Sequence, residues 1–305
     1  MKLIGAFFRL VRWPNLVFIF LTQALFYFCV YVPLFGAGHI LKLIYFIAAS
    51  VLIAAAGYII NDYFDLNIDQ INKPGKNVFA KTIHRRWAII LHLVLSFAGI
   101  VFTVLAAGVS KWYLIVANLF CIALLWLYST SLKRSLLVGN VVTSLLTAWT
   151  VLIIFFGFTE PADAIMTSNP TAVRFFRIAF MYAGFAFVLS LVREAVKDME
   201  DLDGDARYGC RTLPIVAGTR TTKMYALVWM VVLIASLLVL QLYILLFGWW
   251  YALVYLFLMV LLPLIYTARQ ILRSATTKQF AYISQLTKWI MFTGILSMIF
   301  FRIYF

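Results

Sequence analysis

The chain has 305 residues, 65% of them hydrophobic and only 12% charged, with a mean hydropathy of +1.00. Soluble domains average about 45–50% apolar and about 25% charged residues, so this composition excludes a soluble globular protein and points to a polytopic, all-α membrane protein. The net charge of +14 would suit a nucleic-acid partner, but the positions of the basic residues assign it to membrane topology.

Runs of about 20 apolar residues predict nine membrane helices, at 15–35, 42–66, 87–107, 112–132, 137–157, 174–201, 223–246, 249–268 and 284–305. The first follows Lys2, Arg9 and Arg12. It is too long for a secretory signal and lacks a small-residue cleavage pattern, so it reads as a retained helix. Of the 25 Lys and Arg, 20 fall at the N-terminus, in the even-numbered loops, or just inside the neighbouring helix ends. Lys42, Lys111, Arg174, Arg177 and Arg302 fall on the opposite side. The positive-inside rule then makes the N-terminus and even loops cytoplasmic and the C-terminus external, in the cell membrane.

The second helix ends in NDYFDLNIDQINKPGK, which places Asn61, Asp65 and Asp69 at i, i+4, i+8 on one face, with Asp62 beside them. Lys73 and Lys76 follow directly, and the fourth helix closes in YSTSLKR, with Lys133 and Arg134. The loop containing TEPADAIMTSNP reads as an irregular external connection. The sixth helix runs into REAVKDMEDLDGDARYGCRTLP, where Arg193, Lys197 and Asp201 share a face and Asp201 and Asp205 repeat the four-residue spacing one turn after Asp198. Gly204 and Gly209 are expected to end that helix, leaving Asp205 on a loop.

Nine of the 11 acidic residues sit in these two segments, while loops four and eight, just as basic, carry none. Like charges at i, i+4 destabilise an isolated helix, so two such clusters imply something positive between them. Oxygen-only ligands suit hard cations, Mg²⁺ or Ca²⁺; Mg²⁺ completes its octahedron with water and substrate phosphate. Facing aspartate clusters flanked by lysines therefore predict a diphosphate held through metal ions, with cations to stabilise its charge as it leaves. Three cysteines, Cys29, Cys121 and Cys210, and three histidines, His39, His84 and His92, are scattered and read as structural.

The stretches NDxxDxxxD (Asn61 to Asp69) and DxxxD (Asp201 to Asp205) resemble the two acidic motifs of the UbiA superfamily of intramembrane prenyltransferases. RWPN (Arg12 to Asn15), YSTSLKR (Tyr128 to Arg134) and GCRTLP support the likeness. It covers nearly the whole chain and implies a single transmembrane domain over residues 1–305: nine helices around a central cavity with a cytoplasmic cap. NKPGK and REAVKDMEDLDGD are most similar to the archaeal-type digeranylgeranylglyceryl phosphate synthase branch. The chain departs from that branch at Lys76, where Arg is usual, and at Asn77-Val78, where Pro-Ile is usual.

What the resemblance implies is Mg²⁺-dependent transfer of a prenyl group, geranylgeranyl in that branch, from a prenyl diphosphate to an acceptor within the bilayer. Asn61, Asp65 and Asp69 would hold one Mg²⁺ and Asp201 and Asp205 a second, with Asp62 and Asp198 assisting. Lys73, Lys76, Lys133, Arg193 and Lys197 would neutralise the diphosphate. Tyr63, Tyr128 and Tyr58 would face the allylic cation, and Asn15, Arg12 and Arg134 would contact substrate, the arginines serving an acceptor phosphate. No residue stands out as general base; Asp198 is the candidate. The acceptor is a prenylglycerol phosphate in that branch. An aromatic quinone precursor, or cyclisation of the donor with no acceptor, stays open. A cation transporter fits less well, because both clusters lie at one membrane face and not at the midplane.

Overall fold

A computed structural model describes residues 2–66, 68, 71, 85–160 and 169–305. Among these the regular elements are helices and no strand occurs. Among the described residues nine helices are long and apolar enough to cross a bilayer: α1 Trp13–Phe35, α2 Ile40–Phe64, α3 Arg86–Ala107, α4 Trp112–Thr130, α5 Val138–Phe158, α6 Pro170–Glu200, α7 Leu213–Leu246, α8 Trp250–Arg273 and α9 Thr277–Tyr304. Their outer surface is apolar, with Phe97, Leu105, Phe120, Leu242 and Trp289 among the exposed side chains, as expected where lipid is the solvent. The chain is an integral membrane protein.

The helix ends follow local chemistry. Pro170 sits in the first turn of α6, where a missing N–H costs nothing, and the Asn169 side chain accepts from the amides of Thr171 and Ala172. Thr276 and Gln279 form a reciprocal capping box at the start of α9. α1 and α8 each widen into a π-turn, Phe26–Tyr31 and Phe257–Leu261, ending two residues before Pro33 and Pro263. Each wide turn precedes a residue that cannot donate to the helix ladder. α7 breaks at Gly218, whose φ of 83° lies in the left-handed region. The sequence-predicted start at residue 223 is therefore late: the helix begins at Leu213, with Leu213 to Ala217 as a separate helical segment before the break.

Lipid gives no hydrophobic drive for helices to associate, so close packing and interhelical hydrogen bonds hold the bundle. α2 packs along α3 and α4 through Ala49, Ala55, Ala56 and Gly57, and Gly57 lies directly against the Leu125 side chain. Fully buried Gln23 on α1 donates to Ser50 Oγ of α2 at 2.7 Å and to the Thr150 carbonyl of α5 at 3.0 Å. Asn118 on α4 donates to Thr103 Oγ1 of α3 at 2.8 Å and accepts from Trp149 Nε1 of α5 at 2.9 Å. His92 Nδ1 lies 3.0 Å from the Ala56 carbonyl, a packing contact between α3 and α2.

The bundle surrounds a cavity of about 1200 Å³. Its lining includes residues of α6 from Arg174 to Lys197, a run of about 34 Å at the helical rise. That matches the thickness of a hydrocarbon core, about 30 Å.

Candidate active site

α2 delivers the first acidic segment at one end of the cavity. Asn61 lines the cavity wall, and Asp65 caps the helix, its amide donating to the Asn61 carbonyl at 2.9 Å. Asn61 Nδ2 donates to Asp65 Oδ2 at 2.8 Å, while Asn61 Oδ1 is buried and has no hydrogen-bond partner among the described residues. Lys133, from the 3₁₀ turn Leu132–Arg134 after α4, pairs with Asp65 Oδ1. That turn is pressed against the start of α5 at Gly139, where a Cβ would lie 2.9 Å from Lys133 Cα and 3.0 Å from the Leu132 carbonyl oxygen. Only glycine fits such an approach.

Asp62 points to α1, where Arg12 Nη2 donates to its Oδ1 at 2.6 Å. Arg12 occupies the left-handed region at φ 51°, directly before the Trp13-Pro14 start of α1, and its guanidinium lies 5.3 Å from the Tyr58 ring centroid. Burial disfavours the Arg12 charge, but Asp62 outweighs it, and the pKa is raised above its ordinary value.

The second acidic segment is built by the end of α6. Asp201 is its C-cap, and Asp205 lies on a separate short helix, Leu202–Arg207, with its amide donating to the Asp201 carbonyl at 3.1 Å. This corrects the expected loop: Gly204 is buried inside the short helix, and the chain turns only at Gly209, with φ 68°. Asn140 of α5 donates to Asp198 Oδ2 at 2.8 Å. Beyond Gly209 the Arg211 amide donates to the Arg134 carbonyl at 2.8 Å. The tail of the second acidic segment is thereby strapped to the turn whose Lys133 holds Asp65 of the first. Cys210, inside this strap, is buried, which pushes its thiol pKa up, with Asp205 adding to the rise.

Among the expected site residues, Arg12, Asn15, Tyr58, Asn61, Tyr128, Arg193 and Lys197 line the cavity. Tyr63 does not: two residues on from Asn61 it turns to the far side of α2, packing on Phe64 and the cluster around Leu10 and Val11. Asp62, Asp65, Lys133, Asp198, Asp201, Asp205 and the Arg134 side chain are also absent from the lining, and it is the Arg134 carbonyl that makes the strap. Asp69, Lys73 and Lys76 lie outside the described residues.

The cavity also recruits residues without an assigned role in the sequence reading. Glu194 is buried in its wall and accepts from Arg193 Nη1 at 2.7 Å. Thr143, Thr147 and Thr150 form a polar stripe along α5, a periodicity readable in NVVTSLLTAWT. Lys288, midway along α9, lines the same wall. A lone lysine inside an apolar span was the available signal.

The donor set fits a hard cation. Asn61, Asp65, Asp201 and Asp205 offer only oxygen, and the orphaned Asn61 Oδ1 lacks an electropositive partner. Among the described residues no three His, Cys, Asp or Glu side chains converge as a complete metal cage. Mg²⁺ needs no such cage, since it usually takes one or two carboxylates and finishes its shell with water and phosphate oxygens.

Comparison with known proteins identifies the family. The model of the UbiA prenyltransferase family matches residues 23–296. A digeranylgeranylglyceryl phosphate synthase of Sulfurisphaera tokodaii is 34% identical over 196 residues, which is 64% of this chain and 65% of that protein. The namesake from Haloquadratum walsbyi is 35% identical over 208 residues, 67% of this chain and 65% of its own length. The matched region thus spans slightly less than two thirds of these relatives. A solved structure from a study of digeranylgeranylglyceryl phosphate synthase in membranes superposes with a TM-score of 0.66 at 23% identity, covering 100% of both chains. A UbiA homologue from Archaeoglobus fulgidus, bound to DMAPP and Mg²⁺, gives 0.53 at 13% identity, covering 96% of this chain and 98% of that one. At these identities the two structures speak for the fold.

Proposed function

The chain belongs to the UbiA prenyltransferase family, and from that premise we propose that it transfers a prenyl group, geranylgeranyl by preference, from a prenyl diphosphate to the hydroxyl of a prenylglycerol phosphate, forming an ether lipid. The observation that carries this reading is the cavity: a membrane-deep apolar passage that ends at Asn61, Arg193 and Lys197, beside two strapped acidic segments. Its volume exceeds the roughly 300–1,000 Å³ of small-molecule pockets, which suits long isoprenoid chains. The name shared by the Sulfurisphaera and Haloquadratum relatives supports the acceptor, and the DMAPP and Mg²⁺ bound by the Archaeoglobus homologue support the donor class and the ion.

In this reading Asn61, Asp65 and Asp69 hold one Mg²⁺, and Asp201 and Asp205 a second. When bound, Mg²⁺ supplies charge neutralisation to the diphosphate. Lys133, with Lys73 and Lys76, binds diphosphate oxygens, and Arg193 and Lys197 add their positive field from the cavity wall, so that the negative charge growing as the allylic C1–O bond breaks is stabilised. Tyr58 and Tyr128 present ring faces to the allylic cation. The apolar wall excludes water, which would otherwise capture that cation. The acceptor oxygen then bonds to C1, and its proton passes to the departing diphosphate, with Asp198 and Asp62 as flanking carboxylates. The site lies on the cytoplasmic side of the cell membrane, as does the N-terminus, with the C-terminus outside.

The test is a product assay: purified protein with Mg²⁺ and geranylgeranyl diphosphate, with and without geranylgeranylglyceryl phosphate, read by mass spectrometry. The expected product is the lipid phosphate heavier by one geranylgeranyl unit, lost on chelation of Mg²⁺ and restored by adding it back. Donor consumption without that adduct would overturn the acceptor and point to a quinone precursor or to cyclisation.

A further inference from the structure

Four cationic side chains meet at the polar end of the cavity, and the carboxylates beside them do not match them in number. Arg12 pairs with Asp62, and Arg193 Nη1 with Glu194. Lys197 and Lys288 line the same wall, and neither forms an ion pair among the described residues. Lys288 lies within electrostatic reach of Arg193, Lys197, Arg12 and Glu194. Arg193 Nε is buried and donates to no acceptor among the described residues. The wall therefore carries two lysines with no carboxylate paired to them, Asp198 near Lys197 being engaged by Asn140, and one orphaned donor. An uncompensated lysine inside a membrane span is costly and marks a site that something else completes.

The missing partner must bring about two negative charges and several acceptor oxygens. A carboxylate brings one charge. A phosphate monoester brings about −1.5 to −2 at neutral pH and three strong acceptor oxygens. The leaving diphosphate already has oxygen ligands at the ends of α2 and α6 and Lys133 after α4, and α9 contributes to neither acidic segment. We infer that Lys288, with Lys197 and Arg193 Nε, forms a separate anion subsite that receives the phosphate monoester of the acceptor and so selects a phosphorylated lipid alcohol over a neutral one. The inference rests on the prenyl-transfer reading above and assigns Lys288 to specificity.

The experiment measures binding of a prenylglycerol phosphate, of the same prenylglycerol without phosphate, and of a non-hydrolysable prenyl diphosphate analogue. The proteins are the wild type, Lys288→Gln and Lys288→Arg, each in nanodiscs. In Lys288→Gln, affinity for the phosphorylated alcohol falls at least about tenfold, the scale of one lost charge-assisted hydrogen bond. Affinity for the neutral alcohol and for the diphosphate analogue changes less than about twofold on that same scale. Lys288→Arg retains most of the phosphate preference. Should Lys288→Gln fail to bind the diphosphate analogue because it does not fold, Lys288→Met, of similar length and without charge, replaces it.

Equal weakening of the analogue and the acceptor overturns the inference, since the cluster then serves the donor; so does wild-type protein that binds both alcohols alike. Either result leaves prenyl transfer intact if the product assay still shows an adduct. Conversely, a phosphate preference lost in Lys288→Gln, without any adduct in the product assay, keeps the subsite and removes the proposed reaction.

Discussion

The two ends of the cavity are lined by some of the same helices yet built on opposite principles. At one end α6 contributes Arg193, Glu194 and Lys197, set against Arg12, Asn61 and Lys288. At the other, where Arg174 and Arg177 also reach the lining, the same helix presents Phe175 and Ile178 to an aromatic cluster in which Phe26 stacks on Phe175 with centroids 5.2 Å apart and Phe155 tilts against Phe175 at 5.5 Å. The charged end is held by ion pairs and hydrogen bonds that fix individual atoms. The aromatic end is held by packing, which tolerates substitution as long as volume is kept. A reaction that must place charge at one point and house a long apolar chain elsewhere calls for this division.

The comparison breaks first at the charged end. Asp65→Ala, and separately Asp201→Ala, lower the rate at least about 100-fold with the helical content unchanged, the scale of losing a major charge-stabilising group. Normal turnover in both would remove the ion-clamp reading. Midway along the passage, Ala186→Trp narrows the wall of α6. It shifts donor preference from geranylgeranyl towards geranyl diphosphate by about tenfold, as pocket-filling changes do, measured as the ratio of kcat/KM for the two donors. A uniform loss for both donors would show that the apolar stretch does not measure chain length.

Smaller effects sharpen the contrast. Gly139→Ala pushes the Leu132–Arg134 turn off α5 and loosens the Lys133 to Asp65 pair; activity drops about tenfold through misplacement alone, and the thermal midpoint moves little. In the apolar interior Gln23→Leu removes the link to Ser50 and Thr150 and lowers stability by about 1 kcal/mol, read by thermal unfolding, with the kcat of the folded fraction unchanged. If the order were reversed, with Gly139→Ala unfolding the protein and Gln23→Leu abolishing turnover, the division of labour between the two regions would be wrong.

The charged end was the more legible in sequence because charge is rare in a membrane protein and its spacing carries geometry. Asn61 and Asp65 one turn apart, and Asp201 and Asp205 likewise, needed no tertiary knowledge. What escaped depends on how helices turn relative to one another. Tyr63 sits beside Asp62 in sequence, yet α2 rotates its ring away from the cavity, while Tyr58, a full turn before Asp62, faces in. Lys288 lies far from both acidic segments in sequence and joins them only because α9 packs against α6. The helix spans were readable from hydropathy, but the break at Gly218 and the short helix carrying Asp205 were not. Both depend on backbone angles at single residues.

The strap between Arg134 and Arg211 also has a consequence for biogenesis. It joins the turn after α4 to the segment after α6, so the two halves of the charged end meet only once α5 and α6 have entered the bilayer and the chain beyond them has emerged. A nascent chain stalled earlier displays Asp62 and Asp65 without their counterpart. In the proposed reaction, this order of insertion leaves a half-made chain without a complete site at which to ionise a diphosphate.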